Sequence, residues 1–210
     1  MVVIVLGMHR SGSSLAAGIL HNLGIDMGPK DDASFDNPRG FFEDRAFTMT
    51  NDFILREAGG AWDSPPSLDS ILAAGRDPRI KRQIEAVLEA RRRKGQWGFK
   101  DPRTILTLPL YFDRLEDPAF VCTHRNLLAL SASLEKRNDI PLERALGLAL
   151  IYEKRRLALL SKYDQAPKVH ISYEALLADR REVDRLALFV NRPATPEALA
   201  LVDPVLRHHA

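Results

Sequence analysis

The stretch Val2-Val3-Ile4-Val5-Leu6 leads directly into Gly7-Met8-His9-Arg10-Ser11-Gly12-Ser13-Ser14, and residues 15–23, which follow, have the spacing of a helix. The first five residues are apolar and mostly β-branched, which is typical of a buried strand. A strand, a glycine-spaced loop and a helix in this order direct backbone N–H groups and the positive end of the helix dipole at one point. We therefore expect residues 7–14 to bind a phosphate or a sulfate.

The loop has the spacing of a P-loop but lacks the lysine of that motif. Gly7 and Gly12 stand at the glycine positions, whereas Ser13 occupies the place of the lysine. A P-loop NTPase also needs an aspartate after an apolar strand to hold Mg²⁺. The best apolar strand, residues 119–123, is followed by His124-Arg125 instead. A metal-dependent NTPase therefore lacks two of its parts here, although Glu174 is a conceivable substitute for the aspartate.

The rest of the chain alternates between predicted strands and helices. Further strands are predicted at residues 96–99, 119–123 and 169–172. Helices are predicted at residues 41–58, 78–94, 106–115, 126–137, 141–162, 173–178, 181–190 and 193–199. Ser67 is predicted to cap another short helix, and residues 24–40 are predicted to form an irregular connection.

This alternation predicts an α/β fold, a three-layer structure with a parallel sheet flanked by helices, in one domain that covers residues 1–210. Ligands of such sheets bind beyond the carboxyl ends of the strands. Three predicted strands end near a cation there, namely Arg10, Lys100 and Arg125. We therefore expect the chemistry to take place at that edge.

Composition sets wide bounds on function. The 210 residues contain 30 Lys and Arg against 28 Asp and Glu, a net charge of +2, so the chain as a whole has no charge signature of a nucleic-acid binder. No stretch has the length of about 20 apolar residues that spans a bilayer, and the start of the sequence does not resemble a signal peptide. Cys122 is the only cysteine and is expected to be buried. A cytoplasmic location is the resulting expectation.

Some conspicuous residues are expected to have structural roles. The basic cluster at residues 91–94 lies at the end of a predicted helix, where cations suit the dipole, and is predicted to be solvated. Trp62 and Trp97 are expected to contribute to packing. Tyr173 and Glu174 are expected to support the edge of the sheet.

Four segments together resemble the sulfotransferases that use 3′-phosphoadenosine 5′-phosphosulfate (PAPS). Residues 9–14 are similar to the 5′-phosphosulfate loop of that family, and Arg125 with Ser133 eight residues further on is similar to its 3′-phosphate motif. Residues 100–102 are Lys-Asp-Pro, which resembles the Lys-Asp-Pro segment of the tyrosylprotein sulfotransferases and of a related bacterial branch. Residues 172–179 are close to the Tyr-Glu-Asp-Leu-Leu segment of the family. All four segments occur in the order that the family has.

The resemblance implies an architecture like that of the P-loop NTPases and a role for each matched residue. The 5′-phosphosulfate would be held by the loop residues Arg10, Ser11, Gly12, Ser13 and Ser14. Arg125 and Ser133 would bind the 3′-phosphate, with Ser131 as the alternative serine. Lys100 would stabilise the departing oxygen, and Arg10 would assist it. A sulfuryl group carries less charge than a phosphoryl group, so by analogy these cations suffice and no metal is required.

The general base is chosen among three carboxylates. Glu43 is the first choice, because it follows the irregular connection at the start of a predicted helix, in roughly the chain position of the glutamate of the tyrosylprotein branch. Asp44 is its nearest rival, and Asp101 is another, although a turn-forming role before Pro102 suits Asp101 as well. The cytosolic family members use a histidine and a C-terminal Lys-Gly loop. This chain has neither a histidine between His21 and His124 nor such a loop.

The sequence therefore predicts a PAPS-dependent sulfotransferase that releases 3′-phosphoadenosine 5′-phosphate (PAP). Its acceptor would be a hydroxyl or an amine of a small molecule, a carbohydrate or a peptide, with no nucleic acid as a partner. Two other functions stay open at this point. One is a degenerate P-loop nucleotide kinase or NTPase, and the other is a non-catalytic module that binds a nucleotide.

Overall fold

A parallel sheet forms the centre of the fold. The computed structural model describes residues 1–29, 42–92 and 95–202, and within these ranges the strands are β1 (Val2–Leu6), β2 (Trp97–Lys100), β3 (Pro118–His124) and β4 (Lys168–Ser172). Their order across the sheet is β2-β1-β3-β4, and every pairing is parallel. Val5 pairs with Lys100 and Leu6 with Cys122, so the carboxyl ends of three strands lie side by side. The loop after β1 therefore begins between the ends of β2 and β3.

Helices cover both faces of the sheet. They are α1 (Ser13–Asn22), α2 (Arg45–Glu57), α3 (Leu68–Ala74), α4 (Pro78–Arg92), α5 (Thr104–Thr107), α6 (Leu127–Asn138), α7 (Leu142–Lys162), α8 (Tyr173–Ala178), α9 (Arg181–Phe189) and α10 (Pro196–Ala200). In β1, Ile4 and Leu6 pack into the core that contains residues of α2 and α7, whereas Val3 and Val5 pack into the core formed with α1 and α9. This alternation is expected of a strand that is buried on both faces. The predicted three-layer α/β class is confirmed.

Within the described ranges most predicted elements are present and one predicted helix is broken, whereas most of the predicted connection at residues 24–40 lies outside these ranges. Residues 106–115 were predicted as a helix, but the chain forms α5 followed by two 3₁₀ turns, Leu108–Leu110 and Phe112–Arg114. Pro109 lies in the first of these turns. Because proline has no N–H to donate and its ring clashes with the preceding turn, an α-helix does not continue through it. That prediction is wrong.

Arg91 corrects the prediction of a solvated basic cluster. Its side chain is buried, and its Nη2 donates to the backbone oxygen of Asp26 at 2.9 Å and to Oδ1 of Asp26 at 3.0 Å. The guanidinium also lies 5.9 Å from the centre of the Trp97 ring. Arg91 thus joins the end of α4 to the segment after α1, a long-range contact that the local pattern does not reveal. Arg92 pairs with surface glutamates as expected, and residues 93–94 lie outside the described ranges.

Three further expectations concern Cys122, Ser67 and membrane-spanning helices. Cys122 is buried, as predicted, and burial raises the pKa of its thiol to about 11. Ser67 caps α3 by accepting from the Ser70 backbone N–H, as predicted. Among the described residues, the helices are too short or too polar to cross a membrane.

Candidate active site

The loop after β1 is shaped by two close approaches of the backbone. Gly12 has a φ of 88° and directly precedes α1, and a Cβ at this position would collide with the ring of Tyr173. A Cβ at Gly7 would collide with the hydroxyl groups of Ser11 and Thr123, which are hydrogen-bonded to each other at 2.8 Å. Glycine is the residue that meets both demands. The loop therefore forms a tight cradle at the N-terminus of α1, as an anion site requires.

Arg10, Arg125 and Ser133 meet on one side of this loop. Arg10 has a φ of 68°, and its Nε donates to Oγ of Ser133 at 2.7 Å. Arg125 donates from Nη1 to the backbone oxygen of Arg10 at 3.0 Å, and its guanidinium lies 4.8 Å from the centre of the Tyr173 ring. The structure thus brings together the three residues that the sequence assigns to the two ends of the donor. Tyr173, expected only to support the sheet edge, also belongs to this cluster.

Ser131, the alternative to Ser133, points elsewhere. Both serines are on α6 and both are buried. Two residues correspond to a rotation of about 200° around a helix axis, so Ser131 lies on the opposite side of α6 from Ser133 and Arg10. Of the two serines, Ser133 is the one hydrogen-bonded to the loop, whereas Oγ of Ser131 is buried without a hydrogen-bond partner in the described ranges.

Lys100 and Glu43 form an ion pair on the other side of the loop. Nζ of Lys100 lies 2.6 Å from Oε1 of Glu43, and the Lys100 side chain is only 1% exposed. Lys100 is the last residue of β2, and Glu43 immediately precedes Asp44, which caps α2. A charge-assisted hydrogen bond of this length fixes both side chains. The two residues predicted to act on the leaving oxygen and on the acceptor are therefore in direct contact.

The other two candidate bases have structural partners. Asp44 accepts from the Ala46 backbone N–H at 2.9 Å, the bond of a helix cap. Asp101 is buried, and it accepts from Nη1 of Arg103 at 2.9 Å and from the backbone N–H of Arg103 at 3.1 Å. Burial raises the pKa of Asp101, and the Arg103 guanidinium opposes that shift. Of the three carboxylates, Glu43 is the one that contacts Lys100.

A buried hydrogen-bond network centred on Asn51 holds α2 against the segment after β2. Nδ2 of Asn51 donates to Oδ2 of Asp101 at 2.8 Å, and its Oδ1 accepts from Oγ1 of Thr107 at 2.7 Å and from the hydroxyl of Tyr111 at 2.9 Å. Asn51, Thr107 and Tyr111 are fully buried. Because α2 follows Glu43 and Asp101 follows Lys100, this network sets the position of one partner of the ion pair relative to the other. Sequence reasoning missed it, since its members are far apart in the chain.

His9 lies within the loop and was also missed. Its ring packs against that of Trp62 with the centroids 4.5 Å apart, so Trp62 is adjacent to the site as well as to the core. Burial lowers the pKa of His9 well below its usual value, and the charges of Arg103, Lys100, Arg137 and Arg10 lower it further. The imidazole is therefore neutral near pH 7. Its place inside the loop was the signal that the sequence offered.

A second histidine, His124, belongs to a charged cluster behind the loop. Its Nε2 lies 2.8 Å from Nδ1 of His170, and the guanidinium of Arg156 approaches its ring at 2.8 Å. Burial and the Arg156 charge lower the pKa of His124 to about 4. Arg156 is also paired with Glu153 at 2.6 Å. The cluster borders a cavity of about 150 Å³ that extends beneath Ser11 between α6 and α7.

The residues around the loop fit an anionic nucleotide. Nε of Arg125 is buried and, in the described part of the chain, has no hydrogen-bond partner, so it is available to a ligand. Together with the glycine cradle and the cations Arg10 and Lys100, it provides sites for phosphate or sulfate groups at more than one point. Within residues 1–29, 42–92 and 95–202, no group of three or more His, Cys, Asp or Glu side chains is arranged to hold a metal ion.

Comparisons with known proteins identify the fold. No protein-family model matches the sequence, and no curated protein matches it either. Among solved structures, the chain is similar to the sulfotransferase domain from the curacin biosynthetic pathway, with a TM-score of 0.62 and 16% identity over 95% of this chain and 76% of that one.

Two other solved structures, both of sulfotransferases, are also similar to this chain. The sulfotransferase domain of the Synechococcus PCC 7002 olefin synthase gives a TM-score of 0.58 and 18% identity over 94% of this chain and 75% of that one. Sulfotransferase STF1 from Mycobacterium tuberculosis gives a TM-score of 0.52 and 17% identity over 98% of this chain and 70% of that one. The chain has the sulfotransferase fold.

Proposed function

We propose that this protein transfers a sulfuryl group from PAPS to a hydroxyl or amine acceptor, which is a small molecule, a carbohydrate or a peptide. The observation that carries the proposal is the contact between Lys100 and Glu43, 2.6 Å apart at the end of the strand next to the glycine cradle. A buried cation and a carboxylate beside an anion site are the groups that an in-line transfer needs at its two ends. The sulfotransferase fold agrees with this assignment.

The donor would be held by the two clusters of the loop region. In the proposal, the backbone of Ser11, Gly12, Ser13 and Ser14 and the Arg10 side chain bind the 5′-phosphosulfate. Arg125 and Ser133 bind the 3′-phosphate, for which Arg125 offers a guanidinium whose Nε is not used elsewhere in residues 1–29, 42–92 and 95–202. Because Arg10 donates to Ser133, the two subsites are in contact through one hydrogen bond.

Lys100 and Glu43 have different roles in the proposed reaction. PAPS, when bound, supplies the activated sulfuryl group. Lys100 donates a hydrogen bond to the phosphate oxygen on which negative charge develops, and its burial strengthens that interaction. Glu43 accepts the proton of the acceptor. The ion pair holds Glu43 beside Lys100, and the loop and Arg10 keep the donor in line.

Ligand-dependent thermal unfolding tests the donor assignment. We expect PAP to raise the melting temperature without Mg²⁺, because a ligand that binds only the folded state stabilises it by about 2.7 kcal/mol at 100 times its dissociation constant. Arg125→Ala should remove most of this stabilisation, and Arg192→Ala, at an exposed position after α9, should not. Stabilisation by ATP or GTP with Mg²⁺ but not by PAP would contradict the proposal and favour a degenerate P-loop NTPase.

Transfer itself is tested with labelled PAPS and mixtures of phenols, alcohols, amines, oligosaccharides and tyrosine peptides as acceptors. Sulfated product is expected with at least one class. Binding of PAP without transfer to any class would instead support a non-catalytic nucleotide-binding module.

A further inference from the structure

One atom of the loop has no assigned role. Nε2 of His9 is buried and has no hydrogen-bond partner within residues 1–29, 42–92 and 95–202. An unpaired buried polar atom lowers the stability of a protein. Native structures contain few such atoms, and each calls for an explanation, which is often a functional one. Because His9 lies between Met8 and Arg10 in the anion loop, a ligand of that loop is the partner to consider first.

The His9 ring is held in a fixed orientation. It packs against Trp62 at 4.5 Å between ring centroids. The backbone oxygen of Trp62 in turn accepts from the hydroxyl of Tyr152 at 2.8 Å, and the next residue, Asp63, pairs with Arg144 at 3.2 Å. Helix α7 therefore holds this turn, and with it the ring that packs on His9, beside the loop. A ring held in a fixed orientation is suited to bind a ligand atom at one defined position.

The charges near His9 belong in part to residues that are proposed to bind the donor. The charges of Lys100 and Arg103, at the end of β2, lower the pKa of His9. Arg10 in the loop and Arg137 on α6, one turn after Ser133, lower this pKa as well. Lys100, proposed for the leaving oxygen, and Arg10, proposed for the 5′-phosphosulfate, are thus both among the charges that act on His9. The sulfuryl sulfur is bonded to the leaving oxygen, so the sulfuryl group is the part of the donor that a side chain near both Lys100 and Arg10 would contact. Its oxygens accept hydrogen bonds, and a neutral imidazole has one N–H to donate.

We propose that His9 donates a hydrogen bond from Nε2 to an oxygen of the donor's sulfuryl group. The inference rests on the proposed function, because it concerns the same donor. PAPS and PAP differ only in the sulfuryl group, so this hydrogen bond strengthens the binding of PAPS and not that of PAP. The assignment makes His9 a contact of the transferring group and leaves the proton of the acceptor to Glu43.

Calorimetric titration with PAPS and with PAP, in the absence of an acceptor, tests this selectivity. The probe variant is His9→Phe, which keeps an aromatic ring against Trp62 and removes the donor. It should weaken PAPS binding about 3- to 10-fold, the effect of one hydrogen bond, and change PAP binding less than about 2-fold. His9→Gln, whose amide also donates, should recover most of the PAPS affinity. His21→Gln, at an exposed position near the end of α1, is the matched control and should leave both affinities unchanged.

The outcomes separate this inference from the function on which it rests. Equal weakening of PAPS and PAP by His9→Phe, or no change in either, would overturn the His9 assignment alone. If the unaltered protein binds neither ligand, the proposed function fails together with it. The melting temperature without ligand is measured for each variant, and if His9→Phe does not fold, the His9→Leu and His9→Gln pair decides by the same comparison.

Discussion

Nε of Arg10 lies 2.7 Å from Oγ of Ser133, and this hydrogen bond joins the loop after β1 to the second turn of α6. The two residues are 123 positions apart in the chain. The left-handed backbone of Arg10, with a φ of 68°, directs its side chain along this path, and its backbone oxygen accepts from Arg125. The proposed 5′ and 3′ subsites are therefore one connected group of side chains, and a change in one is expected to affect the other.

Ser133→Ala is expected to weaken PAP binding about 3- to 10-fold. The substitution removes the proposed contact with the 3′-phosphate and the hydrogen bond from Arg10, and one hydrogen bond has about this effect. Isothermal titration of PAP measures it. Ser131→Ala is the matched control, since that serine lies on the other side of α6, and it should change the affinity less than about 2-fold. An equal loss in both variants would contradict the role given to Ser133.

Lys100→Ala is expected to lower the rate of transfer by at least about 100-fold while PAP still raises the melting temperature. Loss of one preorganised charge at a developing anion has an effect of this size. Glu43→Gln, which removes the base but keeps a hydrogen-bond acceptor near Lys100, should lower the rate to a similar extent. The rate is measured with labelled PAPS and the acceptor class that proves active. If Lys100→Ala abolishes PAP binding instead, Lys100 belongs to the donor site and not to the chemical step.

Asn51→Leu is expected to lower the free energy of unfolding by about 2–4 kcal/mol. The buried partners Asp101, Thr107 and Tyr111 would each lose a hydrogen bond, and an unsatisfied buried group costs about 1–3 kcal/mol. Urea denaturation measures the change. Tyr111→Phe removes only one of these bonds and should cost about 1 kcal/mol. A loss for Asn51→Leu no larger than that for Tyr111→Phe would show that the network does not act as a unit.

Stability is expected to fall as the pH is lowered from about 6.5 to about 4. The folded-state pKa of His124 is about 4, below the ordinary histidine value of 6.5, so the unfolded chain binds more protons in this range. The loss is complete below pH 4, and above pH 6.5 His124 contributes no pH dependence. The lowered pKa values of His9 and His170 act in the same direction, whereas the raised pKa of Asp101 acts in the opposite one.

The difference in the pH dependence of the free energy of unfolding between the unaltered protein and His124→Gln isolates the contribution of His124. The variant cannot take up this proton, so its unfolding free energy should depend less steeply on pH between 4 and 6.5. Denaturation at pH 4.5, 5.5 and 7.5 provides the comparison. Parallel pH profiles for the two proteins would show that His124 titrates normally.

Local patterns in the sequence determine much of this fold. The β-branched run Val2–Leu6 forms β1, and the glycine spacing after it predicts a cradle whose close contacts at Gly7 and Gly12 are present in the structure. Alternation of strands and helices predicts the parallel sheet, because crossover connections leave parallel strands. Such features depend on residues that are near one another in the chain. Among the described residues, the helix predicted over residues 106–115 is broken through the effect of Pro109.

The tertiary structure decided which of the chemically suitable residues meet. From the sequence, Glu43, Asp44 and Asp101 were all possible bases. The packing of α2 against the end of β2 places Glu43 in contact with Lys100, whereas Asp44 caps α2 and Asp101 pairs with Arg103. The sequence likewise gave no sign that Arg91 is buried. The physical reason is that hydrogen bonds and ion pairs between distant segments depend on how helices pack on the sheet, and local periodicity reports burial and turns but not partners.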